Sequence, residues 1–197
     1  MQTWCKVHYL DASALVKLVA DDADEQPGRD VLRRYYSDNT SMYATSYCVT
    51  EALSAFKGKY LRGRINQDEY IKYVQDFVRI SVGWKLLIDE VPILKPIVLR
   101  EAERLMKSYK IDFLDCFQIV TILHGQFHVL GPESKSILIT ADHGLAEAAR
   151  AEGARVWECT TQLAPSSRTR SFTLAARSEP NTTYMALLSK ISTSSRN

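Results

Sequence analysis

The sequence lacks the residue patterns that build zinc sites, disulfide scaffolds and membrane spans. Its four cysteines (Cys5, Cys48, Cys116 and Cys159) are scattered and form no CxxC pair, which argues against a zinc site and against a disulfide framework. No apolar run is long enough to cross a bilayer. Residues 1–9 also lack the basic, apolar and small-residue order of a secretory signal. These absences predict a protein of the reducing cytoplasm with no membrane partner.

Strong charge of one sign is also missing, because the net charge of the 197 residues is only +2. The charge is unevenly placed. Residues 165–197 carry five Arg or Lys residues against Glu179 alone, and they are rich in Ser, Thr and Asn. Such a composition does not supply a packed core. We therefore predict a folded domain over residues 1–164 and a weakly ordered basic tail over residues 165–197.

Short β-rich runs alternate with stretches that repeat apolar residues at helical spacing. This alternation predicts an α/β domain with a central, mostly parallel five-stranded sheet flanked by helices. The predicted strands are Cys5–Leu10, Ser41–Ser46, Lys85–Val91, Ser136–Thr140 and Ala154–Glu158. The predicted helices are Val49–Leu61, Asp68–Ile80, Pro96–Tyr109, Asp112–Leu123 and Leu145–Glu152.

Two acids follow predicted strands directly. Asp11 comes after the first strand in YLDASALVKL, and Asp142 follows the fourth strand after one alanine in ILITADHGL. Ligands of open parallel sheets bind beyond the carboxyl ends of the strands. If the first and fourth strands are neighbours across a switch point, as we expect, both carboxylates lie in one cleft.

Two further acids can join them. Glu51 lies beside an apolar helical stripe in YCVTEALSAF, and Asp115 lies in the first turn of an apolar helix for which Asp112 is the expected N-cap. Carboxylates without His or Cys partners suit Mg²⁺ or Mn²⁺. Such an ion lowers the pKa of bound water and neutralises a phosphate. The four acids therefore favour cleavage of nucleic-acid phosphodiesters.

The chain resembles PIN-domain ribonucleases, and among them the VapC-like toxins, from about Lys6 to Glu158. Four segments carry the resemblance in the expected order: YLDASALVKL, TEALSAF, DCFQIVTI and LITADHGLAEAARAEGARV. The resemblance implies a three-layer PIN-like fold and a Mg²⁺-dependent endoribonuclease with Asp11, Glu51, Asp115 and Asp142 as catalytic, metal-binding acids. Ser13 and Thr140 match small polar residues of these motifs, and we expect both to contact the substrate.

The resemblance also implies partners. VapC-like toxins pair with a small antitoxin protein and form homodimers, so we expect an RNA substrate, an antitoxin and a second copy of this chain. Cys116 and Gln118 depart from the alanine and histidine that are commoner in the third motif, and neither removes an acid. Whether one or two ions bind is left open.

Other interpretations stay open. Asp11 could be a strand-end cap, and Glu51 and Asp115 could be acids favoured by the dipole at a helix start. Lys57 and Arg62 could contact RNA phosphates or simply stabilise a helix end. A housekeeping RNA-processing nuclease and a catalytically silent RNA- or protein-binding module are the alternative functions. A phosphatase of the haloacid-dehalogenase type is disfavoured, because it needs an acid where Ser13 stands.

Overall fold

The central sheet is entirely parallel, as the alternating pattern predicted. The computed structural model describes residues 7–39, 41–83, 85–128 and 136–165. Five strands pair in the order β3-β2-β1-β4-β5, and all four pairings are parallel. The first two predicted residues of the first strand and the predicted tail beyond Pro165 lie outside the described residues. The strands are β1 (His8–Leu10), β2 (Met42–Ala44), β3 (Leu86–Ile88), β4 (Ile137–Thr140) and β5 (Arg155–Glu158).

Seven α-helices and one short 3₁₀-helix (Ala23–Glu25) connect the described strands. Five of the α-helices match predicted ones, with ends shifted by a few residues. None of the described helices has the length and apolar character that a membrane span needs. The helices are α1 (Ala12–Val19), α2 (Gln26–Asp38), α3 (Ser46–Leu61), α4 (Gln67–Val82), α5 (Pro96–Tyr109), α6 (Phe113–His124) and α7 (His143–Ala151).

Helices α1 and α2 have no counterpart among the predicted helices, and the Pro-Gly start of α2 explains why that helix was missed. Pro27 and Gly28 have non-helical backbone angles, and regular helix follows them. Gly28 has φ +74°, and a Cβ there would lie 1.8 Å from the carbonyl oxygen of Cys159. Glycine is therefore needed both for its backbone angle and for this close approach. A Pro-Gly pair in the sequence predicts a turn, and for that reason the sequence analysis assigned no helix here.

The order in which the chain adds strands to the sheet reverses at β1. Strands β2 and β3 lie on one side of β1, and β4 and β5 lie on the other. Tyr9 pairs with Tyr43 of β2 and with Leu138 of β4. The backbone N–H of Asp11 continues the ladder by donating to the carbonyl of Ile139 at 3.1 Å. The predicted neighbourhood of the first and fourth strands is confirmed. The carboxyl ends of β1 and β4, and the residues that follow them, therefore share one edge of the sheet.

Two apolar cores flank the sheet and give the domain its three layers. Successive strand side chains point to opposite faces, so Leu10 and Ile139 enter one core while Tyr9 and Leu138 enter the other. Buried residues of α1 to α4 fill the first core, and buried residues of α5 to α7 fill the second. The predicted α/β class and three-layer arrangement are thus confirmed.

A buried ion-pair network ties α3 to the segment after α1. The Nζ of Lys59 lies 2.8 Å from Asp22 Oδ1 and 2.9 Å from Glu25 Oε1. The Nζ of Lys17 lies 3.1 Å from Glu25 Oε2. Both lysines are buried. Desolvation lowers the pKa of Lys59, but its carboxylate partners outweigh that effect and hold the pKa above its usual value.

Replacing Lys59 with methionine is expected to lower the free energy of unfolding by about 3 kcal/mol, because it leaves the largely buried Asp22 carboxylate without its counter-ion and Glu25 with Lys17 alone. Lys107→Met is the matched control, since Lys107 pairs with Glu103 on an exposed helix face where such pairs contribute under about 1 kcal/mol. Urea unfolding of both variants measures the difference. Equal losses in the two variants would contradict a structural role for the Lys59 network.

Candidate active site

Four acidic side chains lie at or near helix starts on the carboxyl edge of the sheet. Asp11 is the N-cap of α1, and Asp142 is the N-cap of α7. Asp115 lies in the first turn of α6, after the N-cap Asp112 as predicted. Glu51 lies in the second turn of α3, because that helix begins at Ser46, three residues earlier than predicted. Unpaired N–H groups at helix starts favour negative charge nearby.

Asp11 is a buried carboxylate held by hydroxyl and amide donors. Its Oδ1 accepts from the backbone N–H of Ala14 at 2.7 Å and from the Ser13 hydroxyl at 2.9 Å. Its Oδ2 accepts from the Thr140 hydroxyl at 2.7 Å. Burial raises the pKa of Asp11 to about 6, although these hydrogen bonds oppose the rise; the charge of Asp142 adds to it. The carboxylate is therefore fixed in place but poorly solvated.

Ser13 and Thr140 join the end of β4 to Asp11. The backbone N–H of Ala141 donates to the Ser13 hydroxyl at 2.8 Å, and that of Asp142 donates to the Thr140 hydroxyl at 2.8 Å. Asp142 Oδ1 in turn accepts from the N–H of Leu145 at 2.9 Å. The two hydroxyls thus set the position of Asp142 relative to Asp11. The structure places Ser13 and Thr140 beside the carboxylates, as orienting groups.

Asp115 experiences the charges of the other acids. Partial burial raises the pKa of Asp115 to about 7, and the carboxylates of Asp11, Asp142, Glu51 and Asp112 add to the rise in that order. Desolvation also raises the pKa of Glu51, and the charges of Asp112 and Asp142 add to it. The four predicted acids therefore form one electrostatically coupled group, although they come from four separate segments of the chain.

The four carboxylates have the chemistry and the charge that a hard divalent cation requires. Their side chains are not yet arranged around a single point as they would be in a formed metal site. All four predicted side chains offer carboxylate oxygens, which Mg²⁺ and Mn²⁺ prefer. Three of the four have raised pKa values that a nearby cation would relieve. Within the described ranges, however, no three His, Cys, Asp or Glu side chains converge closely enough to make a ready metal-binding group.

A buried polar group lies next to this cluster. Gln118 is one helical turn beyond Asp115 on α6, and its Oε1 accepts from the Cys48 thiol at 3.0 Å and from the Thr45 hydroxyl at 3.3 Å. Its amide Nε2 is buried without a hydrogen-bond partner among the described residues. Burial raises the pKa of the Cys48 thiol to about 12, with a contribution from the charge of Asp11. The unpartnered amide N–H groups of Gln118 are therefore buried on the same helix as Asp115, one turn further on.

The two predicted phosphate contacts lie farther along α3. Lys57 is exposed, and its Nζ lies over the rings of Tyr60 and Tyr70 at 5.1 and 5.4 Å from their centroids. Arg62 is the C-cap of α3. At 1.5 Å per residue these positions are roughly 9 and 16 Å beyond Glu51 along the helix axis. Neither side chain has a hydrogen bond or ion pair to the four acids among the described residues.

One acid near the site escaped the sequence analysis. Glu90 follows β3, and its Oε2 accepts from the backbone N–H and the hydroxyl of Ser46, at 2.7 and 2.6 Å. It therefore caps the start of α3, the helix that carries Glu51. The sequence analysis placed Asp89 and Glu90 inside the predicted strand Lys85–Val91, but β3 ends at Ile88, so both acids follow the strand directly, as Asp11 follows β1. Asp89 instead accepts a hydrogen bond from the Tyr9 hydroxyl, within the fold.

Comparison with known proteins gives little beyond this geometry. No family model matches the chain, and none of the curated proteins matches it. Among solved structures, the chain is similar to the crystal structure of PAE2754 from Pyrobaculum aerophilum, with a TM-score of 0.48 and 16% sequence identity. That match covers 76% of this chain and 88% of the other.

Proposed function

We propose that this protein is a metal-dependent endoribonuclease that hydrolyses phosphodiester bonds of RNA. One observation carries the proposal: Asp11, Glu51, Asp115 and Asp142 come from four segments, act on one another electrostatically and lie at the carboxyl edge of the sheet. A structural role alone does not explain why four like charges share one edge, since each raises the free energy of the others. A cation that binds phosphate offsets that cost.

Asp11, Asp115 and Asp142 are the residues that would hold Mg²⁺ or Mn²⁺. The ion supplies a bound water of lowered pKa and a positive charge for the scissile phosphate. Asp11 and Asp142 follow the central strands, so they define a rigid position. Ser13 and Thr140 keep the Asp11 carboxylate oriented by donating to its two oxygens. Asp115 presents a carboxylate for which the structure shows no hydrogen bond from the described residues.

Glu51 is assigned to the attacking water. It is exposed, it has the longest side chain of the four acids, and its pKa is raised above the usual value by desolvation and by Asp112 and Asp142. A raised pKa makes a carboxylate a better proton acceptor. Glu51 would therefore orient the water and take its proton as the water oxygen bonds to phosphorus. The bond from phosphorus to one sugar oxygen breaks in the same step, and that oxygen takes a proton from solvent.

Glu51→Gln is expected to lower the cleavage rate by about a hundredfold while changing Mn²⁺ affinity less than threefold, because it removes a proton acceptor and not a ligand. Asp142→Asn should lower both the cleavage rate and the affinity for Mn²⁺. Single-turnover cleavage and calorimetric titration with Mn²⁺ separate the two effects. Normal cleavage by the Glu51→Gln variant would assign Glu51 to the fold.

The RNA substrate is supported by the four motifs that resemble PIN-domain ribonucleases. Lys57 and Arg62 add positive charge on the same helix as Glu51, where an extended polyanion would pass.

The resemblance to VapC-like toxins also supports a cytoplasmic toxin held by a small antitoxin. A housekeeping RNA-processing role uses the same chemistry, and a neighbouring antitoxin gene would distinguish the two.

A homodimer is proposed through the outer face of α4. Ile71, Val78 and Val82 are 43%, 49% and 76% exposed, and they lie seven and four residues apart, on one side of that helix. Apolar side chains that share one exposed stripe mark an interaction surface more often than scattered ones do. Light scattering of the protein and of a Val78→Glu variant tests whether this stripe joins two copies.

The decisive test is cleavage of total cellular RNA by the purified full-length chain. We expect cleavage with Mg²⁺ or Mn²⁺ and none with EDTA, and sequencing of the new 5′ and 3′ ends maps the cut bonds. The Asp11→Asn protein, prepared identically, controls for contaminating nuclease. Cleavage in EDTA equal to that in Mg²⁺, and absent from the Asp11→Asn preparation, would overturn the metal mechanism. No cleavage of any RNA by the folded protein would overturn the proposed function.

A further inference from the structure

A pocket of about 490 Å³ lies beside Glu51. It is formed by one side of the first turns of α3, by the segment after β3 and by the start of α6. Its volume falls within the range of small-molecule sites. The lining residues are Ser46, Tyr47, Thr50, Glu51, Ser54, Glu90, Ile93 and Leu114.

The pocket adjoins the candidate active site on two sides. Glu51 belongs to both, and Leu114 is the residue directly before Asp115. Glu51 and Asp115 also act on each other electrostatically. A phosphate held at the carboxylates therefore places the nucleoside attached to it next to this pocket.

The walls of the pocket suit a nucleobase better than a phosphate. Tyr47, Ile93 and Leu114 supply apolar surface, and flat bases pack on such surfaces in single-stranded RNA. Glu51 and Glu90 supply negative charge, which repels a second phosphate and attracts N–H donors. The pocket therefore favours the uncharged, donor-bearing part of a nucleotide.

Glu90 is already oriented for such a contact. Its Oε2 accepts both hydrogen bonds from Ser46, while its Oε1 accepts none from the described residues. A fixed carboxylate with one free oxygen accepts from an exocyclic amino group, as Glu does from the N4 amino group of cytosine. Uracil offers only its ring N3–H, which lies between two carbonyl oxygens that a carboxylate repels.

We propose that this pocket binds the nucleobase next to the cleaved phosphodiester and selects bases that carry an exocyclic amino group. The proposal rests on the proposed ribonuclease function and adds a substrate preference to it. Glu90 is the residue that discriminates, and Tyr47, Ile93 and Leu114 bind any base without discrimination.

Nucleoside binding tests the pocket without catalysis. Cytidine, adenosine, guanosine and uridine are titrated into the full-length protein in EDTA, and backbone amide shifts are followed by NMR. We expect shifts at Thr50, Ser54 and Leu114, with the three amino-bearing nucleosides binding about tenfold tighter than uridine. Equal affinity for uridine, or the absence of shifts around the pocket, would overturn the proposal.

Two variants test the same pocket in cleavage. Glu90→Gln keeps an oxygen for Ser46 and removes the charge, so cleavage next to uridine should rise about tenfold relative to the other bases. Ser54→Phe fills the pocket from exposed helix surface and should weaken binding of all four nucleosides, with a melting curve confirming the fold. Glu103→Gln, which removes a carboxylate from the distant exposed face of α5, is the matched control.

The outcomes separate this proposal from the proposed function. If RNA is cleaved and neither Glu90→Gln nor Ser54→Phe changes which bonds are cut, the pocket proposal fails and the nuclease stands. If nucleosides bind with the expected preference and no RNA is cleaved, the pocket binds bases but the nuclease proposal fails.

Discussion

Replacing Asp115 with asparagine is expected to lower the rate of RNA cleavage by on the order of a thousandfold. In the proposed site Asp115 helps to hold the ion that stabilises charge on the phosphate, an effect of several kcal/mol. A loss of about 4 kcal/mol of transition-state stabilisation corresponds to about a thousandfold in rate. The structure shows no hydrogen bond to the Asp115 carboxylate from the described residues, so asparagine removes charge without breaking a contact.

Asp112→Asn is the matched control for that loss. Asp112 lies three residues earlier and accepts from the backbone N–H of Leu114 at 2.8 Å as the N-cap of α6. Asparagine caps helices as well as aspartate does. The control therefore removes the same charge from the same helix while leaving its start intact, and cleavage should fall less than about threefold.

Single-turnover cleavage of one mapped RNA substrate, at saturating Mg²⁺, measures both variants. Losses in Asp11→Asn and Asp115→Asn will not add, because residues that act as a unit fail together. If Asp112→Asn is as damaging as Asp115→Asn, the third motif is misassigned by one helical turn. If Asp115→Asn cleaves normally, Asp115 has no part in holding the ion.

The sequence predicted the sheet edge well because its signal is local. Asp11 and Asp142 stand directly after apolar strands, and parallel strands bring their carboxyl ends to one edge whatever lies between them. Only the pairing of β1 with β4 was needed to put the two acids together, and the structure confirms it.

Contacts between distant segments could not be predicted. Lys59 lies near the end of α3, where a lysine is usually exposed, but it is buried against carboxylates from the segment after α1. Nothing in the sequence near Lys59 indicates which distant segment covers it. Glu90 shows the same limit, because its role depends on where Ser46 lies. Helix α2 was missed for a local reason, since Pro27 and Gly28 are turn residues in most contexts.

The metal-free protein is expected to lose stability as the pH rises from 5 to 8. The pKa of Asp11 is raised from 3.8 to about 6, mainly by burial, and that of Asp115 from 3.8 to about 7. An acid whose pKa is raised by folding binds its proton more tightly when folded. Well below pH 3.8 both states are protonated and the group has no effect. The cost grows as the pH rises through 3.8, where the unfolded group ionises, and reaches its full value above the folded pKa.

The magnitude follows from the pKa values. For buried Asp11, a rise from 3.8 to about 6 corresponds to about 3 kcal/mol lost above pH 7. Asp115 is only partly buried, so solvent screening reduces its share to about 2 kcal/mol. Glu101, Glu152 and Glu158 have lowered pKa values, and their contributions are lost only as the pH falls below about 4.5. These three carboxylates therefore contribute no change in stability between pH 5 and 8.

Asp115→Asn should reverse part of this loss. The variant is expected to be about 2 kcal/mol more stable than the parent at pH 8 without metal, because it removes one of the repelling charges. The difference should shrink as the pH falls and disappear only below 3.8, the ordinary pKa of the aspartate carboxyl. Asp68→Asn, which removes an exposed carboxylate from the first turn of α4, is the control and should not gain stability at either pH.

Divalent metal should act on the parent in the same direction as the mutation. Binding to the folded state alone stabilises it, so Mg²⁺ should raise the melting temperature at pH 8 and have little effect at pH 5, where protons compete for the carboxylates. It should raise the melting temperature of Asp115→Asn less at both pH values. Melting curves of the two proteins with EDTA or Mg²⁺ provide the comparison. We therefore expect Asp115→Asn to lower the rate of cleavage and to raise the stability of the metal-free protein. A variant that loses both activity and stability would show that Asp115 serves the fold. A parent that is equally stable from pH 5 to 8 would contradict the crowding of charge on which the site depends.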